Sequence, residues 1–153
     1  MKYLLLTLLI SICFLSCKKD NDSEVSDKTS LLTSTAWKYD SGGVGDANGN
    51  ILLDFATSGI IPACSLDNSV KFEPNGSGIG YENTNVCASA PASSNFNWSF
   101  QTNQTILNVS GSAVAGLSGN FKIKELTNAK LTLLKDTTVS PFGSVTAIFN
   151  LKH

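Results

Sequence analysis

Chemistry in this chain has few carriers. There is one histidine, His153, and it is the last residue; there is no arginine at all. Histidine-based acid–base catalysis and multi-histidine metal binding are therefore not expected, and a terminal residue is expected to fray. Serines and threonines are abundant, but nothing in the sequence supplies a base to turn one into a nucleophile. The carboxylates are scattered. Asp46, Asn48 and Asn50 alternate in Gly45–Asn50 as in a calcium loop. An EF-hand would have its glycine two residues later and a glutamate at the twelfth position, where Thr57 stands, so a hairpin turn is the expectation. Gly76–Gly80 has glycine spacing of the phosphate-loop kind but lacks the lysine and the helix start, and it too is expected to be structural. Asp67 is expected to cap a turn. No enzymatic activity, cofactor or metal is expected.

Four cysteines remain: Cys13, Cys17, Cys64 and Cys87. Lys2 followed by the apolar run Leu4–Leu15 has the pattern of an export signal. That run is shorter than the roughly 20 residues a membrane-spanning helix needs. Leu15-Ser16-Cys17 resembles a bacterial lipobox, in which the cysteine thiol is acylated and becomes the first mature residue. Met1–Ser16 is thus expected to be removed, and Cys17 to carry acyl chains, palmitate among them. Several chains hold a protein at a membrane because each buried methylene contributes about 0.8 kcal/mol. Lys18, rather than an aspartate, after Cys17 favours the outer membrane over retention at the inner one. Lys18–Asp22 loosely resembles basic-then-acidic surface-export signals; periplasmic face and cell surface are both open.

Residues 17–30 read as the lipidated cysteine and a flexible tether, too polar to bury, with the thirteen residues after Cys17 spanning roughly 20 Å. Residues 31–153 make one domain of ordinary size. The missing arginine removes the forked donor that reads phosphate and guanine, so nucleic acid is not an expected partner. With Cys13 lost and Cys17 acylated, Cys64 and Cys87 are left. In an oxidising compartment they are expected to pair, the alternative being two separate buried thiols.

Those residues are carried by strands. Period-two alternation marks Trp37/Tyr39, Val70/Phe72, Ile79/Tyr81, Phe96/Trp98/Phe100, Leu107/Val109, Phe121/Ile123, Leu131/Leu133 and Val145/Ala147/Phe149/Leu151. Tight-turn signals such as Pro74-Asn75-Gly76 join many of them. About eight strands with short connections predict an all-β, eight-stranded antiparallel up-and-down barrel, with a two-sheet sandwich as the alternative. Two long connections interrupt the meander, residues 41–66 and 83–94, and a Cys64–Cys87 bond would staple them. Within the first, Ile51–Phe55 reads either as a helical turn or as a strand returning on Trp37. Trp37, Tyr39, Tyr81, Phe96, Trp98, Phe100 and Phe121 are the one dense aromatic set. They would either line a pocket for a small apolar ligand or fill a core.

Ser34–Tyr39 ("STAWKY"), Pro62–Gly78 ("PACSLDNSVKFEPNGSG"), Cys87, Trp98–Phe100 and the closing "LKH" resemble the lipocalin-like lipoproteins of Gram-negative bacteria. The resemblance implies a lipocalin-like eight-stranded barrel, anchoring at the outer membrane and a Cys64–Cys87 bridge. Trp37 takes the place of the first-strand tryptophan of lipocalins. Thr35 stands where they have glycine, and the chain has no arginine to stack on the indole.

Overall fold

The computed structural model describes residues 22–46, 48–111, 117–139 and 143–153. The signal segment and Cys17 lie outside these residues. The chain forms an α-helix, α1 (Asp22–Thr33), then β1 (Trp37–Gly45), β2 (Ile51–Asp54), β3 (Ser69–Phe72), β4 (Ser77–Tyr81), β5 (Ser93–Gln101), β6 (Ile106–Gly111), β7 (Gly119–Leu126), β8 (Lys130–Val139) and β9 (Gly143–Lys152). Strands β3 to β9 pair antiparallel in sequence order, β1 pairs with β3, and β1 also pairs with β9. That last ladder closes an eight-stranded barrel. The sandwich alternative is set aside, because every barrel strand hydrogen-bonds two neighbours in one continuous sheet.

The ninth strand, β2, is an addition. It is the returning strand left open by the sequence, but it lies on the far half of β1, with Gly43 opposite Asp54 and Gly45 opposite Ile51, not on Trp37. Strand β1 therefore runs on through Gly42-Gly43-Val44-Gly45 instead of ending in a loop. Glycine serves here because a Cβ on Gly43 would lie 2.3 Å from the Leu53 carbonyl oxygen, and one on Gly45 would lie 2.3 Å from Ile148 Cδ1. The hairpin tip is tied down by Lys124 Nζ, which donates to the Asn48 carbonyl. Beneath it Ile148 and Leu134, paired across β8 and β9 on the outer face, are buried. Strand β9 consequently buries both its faces between Thr146 and Phe149, where simple alternation predicts only one.

The polar stretch before the barrel is not a free tether throughout. Helix α1 occupies residues 22–33 and packs against β3 and β7, with Leu32 fully buried. Three of its last four carbonyls find donors, as helix ends require: Lys71 Nζ donates to the Thr33 oxygen (2.6 Å), Trp37 Nε1 to that of Leu32 (2.9 Å), and Ser34 Oγ to that of Leu31 (3.0 Å). The helix closes the end of the barrel that carries the β3–β4, β5–β6 and β7–β8 turns. His153 is not frayed either. Its ring lies 3.8 Å from that of Trp37. Burial pushes its imidazole below the ordinary value.

Candidate functional site

Three places in the barrel merit a test for function: the interior, the stapled loops at the end opposite α1, and the outer wall. Alternation on β5 sends Phe96, Trp98 and Phe100 inward, and Phe72 from β3 meets both Phe96 (5.3 Å) and Trp98 (5.8 Å) edge-on. Trp98 Nε1 donates to the carbonyls of Glu73 (3.0 Å) and Ser77 (2.9 Å), clamping the β3–β4 turn. Phe121 and Phe55 each pack on Phe149. Of the predicted set, Trp37, Phe96, Trp98 and Phe121 are buried, while Tyr39 and Phe100 are partly buried against the same cluster. Burial first, then the nearby Asp54 and Asp40 carboxylates, raise the Tyr39 phenol above its ordinary value.

Tyr81 does not belong to this set. It is 38% exposed on the outer wall, with Ile79 on the same side. The inward residues of β4 are Gly78 and Gly80, and the reason is space. Phe72, Gly78 and Phe96 stand in one cross-strand row, and a Cβ on Gly78 would lie 2.1 Å from Phe96 Cζ. The Phe96 ring folds over the glycine and takes the volume a β4 side chain would otherwise fill.

Among the described residues, one hollow reaches the core beside Trp37. Bounded by Trp37, Asn68, Val70, Leu117, Phe149 and Leu151, it measures about 360 Å³ when its mouth is included, but only about 20 Å³ of it can hold the centre of a water. About 10–15 Å³ suffices for one water, so this is a one-water void rather than a ligand chamber. The side-chain oxygen of Asn68, which faces no hydrogen-bonding partner, lies beside it.

The stapled loops are a structural knot. Cys64 and Cys87 form a disulfide. Asp67 Oδ2 accepts from the backbone N–H groups of Thr84 and Asn85 (3.0 Å each), so the residue caps the second long loop as its position suggests. Glu82 adds a second tie, accepting from Asn68 Nδ2 (2.6 Å) and from the Cys87 N–H (3.0 Å). Reducing the bond, or replacing both cysteines by serine, should cost about 3 kcal/mol from the loop entropy of that ring size. Chemical denaturation with and without reductant measures it, and a loss below about 1 kcal/mol would mean the polar ties alone hold the loops.

On the outer wall, open grooves of about 110 and 250 Å³ flank the β1–β2 hairpin, and Asp136 and Thr146 line both. The Asp46 carboxylate at the hairpin accepts from the N–H groups of Asn48 and Asn50 and from Asn50 Nδ2. Those donors, Asn50 above all, hold it below the ordinary carboxylate range. It is a turn-forming residue, as its spacing predicts. Among the described residues no group of three or more histidine, cysteine or acidic side chains converges as a metal site would require. Comparison with family models returns no match, and comparison with curated proteins returns none.

Proposed function

We propose that this chain is an exported, lipid-anchored envelope protein of the outer membrane, whose barrel is a solid, non-catalytic scaffold acting through its outer surfaces. The observation that supports the scaffold reading is the aromatic packing of the core. Aromatic rings from β3, β5, β7 and β9 pack together in the core, and the hollow beside Trp37 and Phe149 has about 20 Å³ for a water. A small apolar ligand of the kind the barrel class invites would need several hundred Å³. The anchoring half of the proposal rests on Met1–Cys17, whose sequence pattern supplies an export signal and an acylation site.

Two measurements test the two halves separately. Cells given labelled palmitate should incorporate it into the protein, and Cys17→Ala should abolish the label and move the protein out of the membrane fraction. A free thiol at the mature terminus would overturn anchoring. Titration of the purified protein with an environment-sensitive apolar dye should show no saturable one-to-one signal. A saturable signal displaced by fatty acid would overturn the filled scaffold and restore an interior ligand.

A further inference from the structure

From the outer face of β4, β5 and β6, we infer a docking surface for a neutral polysaccharide. The starting point is charge. Strands β4, β5 and β6 contain no charged residue, and the whole stretch of residues 83–121 contains none. The remaining strands differ: β1 carries Lys38 and Asp40, β7 carries Lys122, Lys124 and Glu125, and β8 carries Lys130, Lys135 and Asp136. A surface designed for solubility carries about a quarter to a third charged residues, and even this chain, 15% charged overall, keeps its charges outside these three strands. A solvent-facing wall without any is a departure that has been placed on one side of the barrel.

What fills that wall is amide and hydroxyl. With Phe96 and Trp98 inward, Asn95, Asn97 and Ser99 point out and are exposed. The register lines them up with their neighbours: Asn97 stands between Ser77 and Ser110, and Ser99 stands beside Asn108, which pairs with Asn120. Adjacent positions in such a row are about 4.8 Å apart, the strand spacing, so a polymer lying across the strands meets an amide or hydroxyl at every step. Each asparagine offers two donors and an acceptor, so one side chain can both give to and take from vicinal hydroxyls. Asn108 Nδ2 donates to Asn120 Oδ1 at 2.6 Å, which fixes that pair of amides and lowers the ordering cost of binding. Tyr81, at the edge of the wall beside Ser93, presents an exposed ring that a pyranose could stack on through its C–H face.

The same features argue against other occupants. These strands carry no lysine or arginine. Lys71 and Lys122 stand only at the wall's margins, beside Ile79 and Ile106, and Lys71 is engaged by the Thr33 carbonyl, so the wall has no cluster of cations to neutralise a phosphate backbone or an anionic glycan. Beside the Tyr81 ring at its edge, its apolar positions are Ile79 and Ile106, each half-buried, too little for the apolar centre of a protein interface or for lipid. An uncharged polyol matches an uncharged, donor- and acceptor-rich sheet. The inference goes beyond the scaffold reading and does not need Cys17 to be acylated.

Native affinity electrophoresis of the mature, detergent-solubilised protein tests it, with a mannan, an α-glucan, a β-glucan and a galactan in the gel and an anionic polysaccharide as comparator. At least one neutral polymer should retard the protein, with no dependence on salt. Tyr81→Ala and Asn97→Ala should each weaken that retardation at least about tenfold, the worth of one stacking or hydrogen-bonded contact. Both sites are on the surface and should leave the unfolding midpoint unchanged, which is measured alongside. Failure of all four neutral polymers to retard the protein would overturn the inference. So would retardation that survives both substitutions, retardation only by the anionic polymer, or self-association abolished by Tyr81→Ala, which would make the wall an interface between copies.

Discussion

Replacing Gly78 by alanine should destabilise the barrel by about 3 kcal/mol, the upper part of the usual range for overpacking a core. The added methyl would lie 2.1, 2.3 and 2.7 Å from three atoms of the Phe96 ring. That ring cannot simply swing aside. Phe96 is 3% exposed and its ring abuts Phe72 at 5.3 Å, while Phe72 in turn is wedged against Trp98. Valine at the same position should cost more, since a branched side chain adds two further carbons to the collision. Urea denaturation reads the loss as a lower midpoint at unchanged slope. In the Phe96→Leu background the alanine should cost markedly less, because the group it strikes is smaller; the difference is a coupling energy between adjacent residues. If Gly78→Ala were neutral, the ring would not lie over the glycine, and the explanation for the outward Tyr81 would go with it.

Trp37→Ala is expected to have a comparable or larger effect, about 3–5 kcal/mol for a buried tryptophan. Trp37 is fully buried, packs on His153, and gives its indole N–H to the Leu32 carbonyl at the end of α1. The substitution therefore removes a large apolar volume and also one of the bonds that hold the helix across the barrel end. A second readout separates these. Trp37→Phe should restore much of the packing but leave the Leu32 carbonyl short of its donor, a loss of about 1–3 kcal/mol for a buried group. In both variants protease should cut within residues 22–36 faster than in the parent, since helix docking is the part loosened. Unchanged cleavage would place the helix's stability elsewhere, in the Lys71 bond to Thr33.

Most of the barrel is legible from alternation. The eight stretches read as strands are β1 and β3 to β9, and the short connections made them antiparallel neighbours. Alternation worked on β5 because large rings and small polar residues take turns, and burial of one ring face forces the other residues out. It failed on β4, where Ile79 and Tyr81 outrank glycine on any hydrophobic scale. The inward side of that strand was already filled by a ring from β5, a fact that belongs to the neighbour and not to the strand. It also failed on β9, where Ile148 is buried on the outer face by a hairpin from the other end of the sequence. The polar stretch after Cys17 differs for a related reason: residues 18–30 hold too little to bury by composition, yet from Asp22 they form helix α1, whose last turn carries Leu32, a residue of the domain, into a socket built by strands that come later.

For the candidate site the division is the same. Residue order by itself determined where strands begin and turn, that Cys64 and Cys87 were free to pair, and that the catalytic repertoire was poor, because these depend on local pattern and on which side chains exist. Only the tertiary structure decided that all of the aromatic set but Tyr81 packs into or against the core, that Tyr81 faces out, and that the uncharged residues of β4, β5 and β6 share one wall. The physical reason is that interior volume, exposure and surface charge are properties of facing surfaces, and strands distant in the chain must meet before either surface has a partner.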